Sequence, residues 1–216
     1  MSGTSTPPVP RVDRMRPRQI SDEILLDSVL AAFADDGYDG ASMRQVCRRL
    51  DFSHNLLNKR YGTKESLWYA AVDHGLRSML DQLAAGILEA GDDPLDQLRG
   101  AMLRFVAVTR ANPSLVRILH QESAHRGPRY EYLLNRYVTP INEVGLRSIK
   151  QLQGDGRVRP GPVTTVFFHL VTYGLGVMSS HPESLSAFGD ANADPDEAAK
   201  LGVEMVLDGI RVHAAQ

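Results

Sequence analysis

The chain has 216 residues, of which 43% are apolar and 23% charged, with a formal net charge of −2. That balance excludes a disordered or fibrous chain and allows either one large domain or a small module fused to a larger one. A single cysteine, Cys47, excludes an internal disulfide and points to a reducing, cytoplasmic setting.

Residues 1–18, with prolines at 7, 8, 10 and 17 and Arg11, Arg14, Arg16 and Arg18, read as a flexible basic arm. Ser21 is placed to cap a first helix, with Asp22 and Glu23 in its first turn. Ile24, Leu25, Ser28, Ala31, Ala32 and Phe33 then recur at helical spacing, and Gly37 ends the run. Ser42 opens a short second helix with Val46, Cys47 and Leu50 on its inward face. A tight turn at Asp51-Phe52 leads to Ser53, expected as a cap, and a third helix through about Arg60, with Leu57 and Tyr61 on one side and His54, Asn55, Asn58 and Lys59 on another. Two short helices joined by a three- to four-residue turn after a longer one have the spacing of a helix-turn-helix.

A long helix follows from Thr63 through Trp68, Val72, Leu76, Leu80, Leu83 and Ile87. Breaks at Asn112-Pro113, Gly127-Pro128, Gly154-Asp155-Gly156, Pro160-Gly161-Pro162 and 189–195 divide the remainder into about five more helices. No segment alternates as a strand does, so the expected fold is all-α with about nine helices. No apolar run approaches the ~18 residues of a membrane span. The longest, VFFHLVTYGLGVM, is interrupted by His169, Thr172, Tyr173 and glycines and reads as a buried helix, so no membrane partner is expected.

Positive charge gathers between Arg44 and Glu65, where Arg44, Arg48, Arg49, Lys59, Arg60 and Lys64 face only two acids, Asp51 and Glu65. Such a run is often a solvated face, but here it lies on the helix-turn-helix. Asn pairs with adenine in the major groove, and Lys and His donate to guanine or to phosphate. Ser42, Arg44, the amides opening the second helix, and Lys64 suit phosphate contacts.

The stretch AAFADDGYDGASMRQVCRRLDFSHNLLNKRYGTKESLWYAAV resembles the N-terminal domain of TetR-family transcriptional regulators. The matching features are Phe33, Gly37-Tyr38, Ser42, Asp51-Phe52-Ser53, Tyr61 and Lys64-Glu65, over roughly residues 19–73. The resemblance implies DNA-facing roles for Ser42, Met43, Arg44, His54, Asn55, Asn58, Lys59 and Lys64. Two departures stand out: Asp51 replaces the usual turn glycine and is expected in a left-handed conformation, and Asn58 replaces a common phosphate-contacting tyrosine.

The implied organisation is a helix-turn-helix domain over 19–67 and a helical effector-binding and dimerisation domain over 68–216. The implied function is a cytoplasmic repressor that binds a palindromic operator in double-stranded DNA as a homodimer. Dimerisation would use the last two long helices, Val163 to Ser179 and Asp196 to Val212, with Gly174 and Gly176 permitting close approach. A small-molecule effector is also implied. Met102, Phe105, Val106, Thr109, Leu119, His120, Tyr130, Tyr137, Phe167, Leu170 and Tyr173 offer the apolar bulk and scattered polar groups of a ligand cavity, and equally those of plain core.

No cofactor and no enzyme activity are expected. Glu122 and His125 form a Glu-x-x-His pair of the kind that holds a metal in helical bundles. The chain has no second such pair, so Glu122 is expected to pair locally, for instance with Arg126. A helical metal-binding protein or enzyme centred on Glu122 and His125 is the alternative, and a carrier with a degenerate head is another.

Overall fold

The computed structural model describes residues 21–88, 91–181, 187 and 194–212. The basic arm at 1–18 lies outside them, as do the side chains of Leu50 and Ile87. The described residues form nine helices. They are α1 (Asp22–Gly40), α2 (Met43–Leu50), α3 (His54–Tyr61), α4 (Lys64–Leu88), α5 (Pro94–Ala111) and α6 (Pro113–His125). Then α7 runs unbroken through Pro128–Leu133, a π-helical stretch Leu134–Val138, and Thr139–Gly154. Likewise α8 comprises Val163–His169, a π-helical stretch Leu170–Leu175, and Gly176–Ser180, and α9 is Pro195–Ile210. The one extended feature among them is an isolated antiparallel bridge, Val158 to Arg211.

Local chemistry sets the boundaries. The Ser21 hydroxyl accepts from the Ile24 amide, Ser42 from Gln45 and Asp93 from Leu95 and Asp96, each satisfying amides that the first turn leaves open. Gly37, at φ 69° and ψ 170°, interrupts α1 where the sequence places its end, though helical backbone resumes to Gly40. The inward face of α1 differs from expectation: Leu25, Val29, Leu30, Ala32, Phe33 and Ala34 are buried, whereas Ile24 is exposed.

Two apolar cores result. The first joins α1–α4 to Val108, Leu115, Ile118, Leu133 and Tyr137 from α5, α6 and α7. Gly75 lets α4 sit against α1 and α6, because a Cβ there would lie 3.0 Å from Leu30 and 3.1 Å from Leu115. The second core gathers α5, α7, α8 and α9 around Met102, Ile149, Leu152, Phe167, Val203 and Leu207.

Of the two glycines expected to permit close approach, Gly176 does so, toward α5, and Gly174 does not, while the approach of α9 to α8 uses Gly202. Gly174 meets nothing, while a Cβ on Gly202 would lie 2.7 Å from Leu175 and one on Gly176 would lie 3.2 Å from Phe105. The helix Val163–Ser180 has 18 residues and a mean hydropathy of 1.3, long and apolar enough to cross a membrane by length and composition only. Here its buried side packs in the second core, and Val166, Leu170 and Tyr173 are left exposed.

Candidate nucleic-acid interface and interhelical cavity

The turn between α2 and α3 is built on Asp51, which adopts φ 50° and ψ 42° and so takes the left-handed conformation without a glycine. The amides of Asp51 and Phe52 both return to the Cys47 carbonyl, closing α2. Ser53 makes no side-chain cap bond, and its carbonyl accepts from Leu56 and Leu57 at 3.0 Å. The Thr63 hydroxyl accepts from the Ser66 amide at 3.1 Å at the start of α4. Leu57 is fully buried and Tyr61 packs against the same core, which orients the rest of α3 outward. Cys47 is buried, and burial pushes its thiol pKa up, so it is a core side chain held in the uncharged form.

Of the six cations in this stretch, two are spent on α1. Arg49 pairs with Asp36 at 3.3 Å and with Asp35 at 3.9 Å, and Arg60 pairs with Asp22. Lys64 donates to the Asp39 carbonyl at 3.3 Å and lies 4.6 Å from the Tyr38 ring centre. Arg44, Arg48 and Lys59 are exposed and make no ion pair among the described residues. Ser42 and Asn55 are exposed, while Met43, His54, Asn58 and Lys64 are half-buried. His54 Nδ1 and Asn58 Nδ2 lie 3.1 Å apart, so these two side chains act as one polar unit.

A concavity of about 760 Å³ lies between the two helices, bordered by Ser42, Arg44, Gln45, Arg48, Asp51, Phe52 and His54. Arg48, one turn beyond Arg44, was not among the eight DNA-facing positions. The charge run contained it, and the i, i+4 spacing from Arg44 on α2 sets it on the same face. The arrangement is a pair of short helices flanking a concavity with the unpaired cations Arg44 and Arg48 at its border, where they can meet phosphate.

The family profile described as bacterial regulatory proteins, tetR family, matches residues 25–71. Over residues 25–71 the chain is thus similar to the N-terminal domain of tetR-family regulators. No curated protein is significantly similar to it in sequence. Solved structures share the whole TetR fold. The ketosteroid transcriptional regulator KstR2 of Mycobacterium tuberculosis is 16% identical, with a TM-score of 0.70 over 93% of this chain and 100% of that one. A tetR-family regulatory protein from Rhodococcus RHA1 is 23% identical, with a TM-score of 0.71 over 90% and 100%. A TetR-like transcriptional regulator from Rhodococcus sp. RHA1 is 18% identical, with a TM-score of 0.66 over 86% and 92%.

Outside the TetR head, α4, α5, α7 and α8 enclose a cavity of about 480 Å³. Leu80, Asp81, Leu83 and Ala84 come from α4, and Gln97, Leu98, Ala101, Met102 and Phe105 from α5. From α7 come Tyr137, Pro140, Ile141, Asn142, Gly145 and Ser148, and from α8 come Phe167, Phe168, Val171 and Thr172. Both π-helical stretches contribute, Tyr137 from the first and Val171 and Thr172 from the second, and such stretches often mark functional sites.

Of the eleven sequence candidates, Met102, Phe105, Tyr137 and Phe167 line this cavity. The other seven do not. Val106 belongs to the second core, Leu119 packs on the first, and Thr109 is buried with its hydroxyl 2.6 Å from that of Ser179. His120 stacks on Tyr173 at 5.4 Å, Tyr130 is half-buried elsewhere, and Leu170 and Tyr173 are on the surface. Burial pushes the His120 pKa down, with His181 adding to the effect.

Two links tie the cavity region to the head. Tyr132 and Tyr137 both donate to Asp73 of α4, at 2.6 and 2.5 Å, and burial followed by this bonding to a carboxylate pushes both phenol pKa values up. Separately, Arg129 of α7 lies 3.7 Å from the Tyr38 ring centre and donates to Glu122 of α6 at 2.9 Å. Glu122 thus pairs with Arg129 and not with Arg126, because the chain reverses at Arg126, at φ 49°, and brings α7 back over α6. His125 Nδ1 instead lies 2.7 Å from the Gln121 carbonyl oxygen. The Glu-x-x-His pair therefore does not converge, and no group of three or more metal-ligating side chains occurs among the described residues.

Proposed function

We propose that this protein is a dimeric TetR-family repressor that reads a palindromic operator with α2 and α3 and leaves it when a small molecule enters the cavity. The observation that carries the reading is the span of α4. Its first residue, Lys64, sits beside the recognition helix, and its Leu80, Asp81, Leu83 and Ala84 line the cavity. A ligand that shifts α4 changes the position of the head, and the DNA-competent population falls in proportion to the ligand's preference for the shifted state.

In this reading His54, Asn55 and Asn58 meet base edges, and Ser42, Arg44, Lys59 and Lys64 meet phosphates, with Met43 packing beneath them. Two heads give the contact that one small module lacks. Support for the dimer comes from the exposed apolar side chains Val166, Leu170 and Tyr173 on α8 and Leu201 and Met205 on α9, the latter two 62% and 66% exposed. Apolar groups clustered on two adjacent helices are the pattern of a surface meant to be covered.

The test is a gel shift on the DNA upstream of the gene against a scrambled duplex across a salt series. Specific binding that weakens with salt, through counterion release, is the expected result. Equal affinity for both duplexes at every salt concentration refutes operator reading.

A further inference from the structure

The cavity's charge identifies the class of molecule that fits it. Among the described residues, no lysine, arginine or histidine contributes to its lining. The one acidic side chain among them is Asp81, which is exposed and makes no ion pair or hydrogen bond among the described residues. The phenol of Tyr137 donates to Asp73, and one N–H of the Gln97 side-chain amide donates to the Gly91 carbonyl at 2.8 Å, which leaves the other Gln97 N–H, Asn142, Ser148 and Thr172 as neutral polar groups of the lining. A carboxylate or phosphate entering this space would lose its hydration with no cation to replace it. A cation would meet the Asp81 carboxylate and the aromatic rings of Phe105, Phe167 and Phe168, a ring's face being attractive to positive charge.

We propose that the ligand of this cavity is an apolar molecule carrying one cationic end, a lipophilic amine or ammonium, with its apolar body among the three phenylalanines and its charge at Asp81. This rests on the effector-cavity reading above and adds the ligand's charge to it. The volume of about 480 Å³ suits a molecule of drug-like size or smaller.

The experiment compares octyltrimethylammonium, 1-octanol and octanoate, matched in chain length, by calorimetric titration of the full chain and of Asp81→Asn and Ala101→Phe. The expected order of affinity is ammonium, then alcohol, with octanoate at least about tenfold weaker than the ammonium. Because Asp81 is exposed and screened, Asp81→Asn is expected to weaken the ammonium by only about two- to fivefold and to leave the alcohol unchanged. Octanoate binding tightest, or an ammonium affinity unmoved by Asp81→Asn, overturns the charge assignment while leaving the cavity as the site if Ala101→Phe abolishes binding. Failure of all three probes to bind, or binding that survives Ala101→Phe, overturns the cavity reading and this proposal with it. Asp81→Asn lies on the surface and keeps the fold, so the charge test does not depend on the cavity-filling variant.

Discussion

Removing the Arg129 guanidinium is expected to be among the most destabilising single changes outside the apolar cores. The Glu122 side chain is 6% exposed and its Oε2 has no partner, so Arg129 is the group that balances its charge. Arg129→Met keeps much of the side chain's bulk over Tyr38 but leaves the carboxylate buried and uncompensated, which costs about 3–5 kcal/mol. For a chain of this size each kcal/mol moves the thermal midpoint by about 2–4 °C, so a fall of roughly 6–20 °C is expected at fixed protein concentration. The single tryptophan reports directly, since Trp68 is 1% exposed and its ring centre lies 5.9 Å from the Arg129 guanidinium. Urea unfolding followed by its fluorescence gives the free energy for Arg129→Met, Glu122→Leu and the pair. The double variant replaces a buried ion pair by apolar groups and is expected to recover most of the loss, with a coupling of about 2 kcal/mol or more. A cost below about 1 kcal/mol for Arg129→Met, or simple additivity in the double variant, refutes the idea that this pair braces α7 against the head.

Arg44→Ala, tested by fluorescence anisotropy across salt, is expected to weaken operator and scrambled duplex alike and to reduce the slope of log K against log salt by about 1, since the proposed reading assigns Arg44 one phosphate contact. Replacing both Leu201 and Met205 with Glu is expected to yield monomer in analytical ultracentrifugation with the helical circular dichroism intact; an unchanged sedimentation coefficient would place the dimer contact elsewhere. Arg157, followed by the capped amides of Leu95 and Asp96, holds the Asp93 carboxyl at about 2, below its ordinary 3.8. Its folded pKa is depressed, so its contribution is full above about pH 4 and lost as pH falls toward 2; acid titration should show a shallower decline for Asp93→Asn, which starts from lower stability.

The head was legible in the sequence to a degree that the rest was not, and the cause is the range of the interactions. Caps act over three residues and a left-handed turn over one. The caps Ser42, with Gln45, and Thr63, with Ser66, could therefore be read from neighbours alone, and the left-handed Asp51 from its place where the resembled family has glycine. The cavity is set by contacts across tens of residues. Periodicity marked Met102, Phe105, Val106 and Thr109 as one apolar stripe of α5, and only the placement of α7 and α8 sends Met102 and Phe105 to the cavity but Val106 and Thr109 into packing. Asp81, Gln97 and Asn142 carried no signal of their own, being ordinary polar residues on amphipathic helices. The partner of Glu122 was misplaced for the same reason: Arg126 is near in sequence, but the left-handed turn there delivers Arg129.

By itself, then, the sequence determined an all-helical chain, its helix boundaries and the short-range geometry of a helix-turn-helix, because hydrogen-bond capping, turn conformation and 3.6-residue periodicity are local properties. Tertiary structure decided which cations remain free for DNA, since Arg49 and Arg60 are claimed by acids of α1 while Arg44, Arg48 and Lys59 are not. It also decided where the cavity lies, that its lining excludes basic groups, and that α4 joins it to the head. These depend on which faces of distant helices meet, and burial of apolar surface, being non-directional, leaves that choice to the packing of the whole chain.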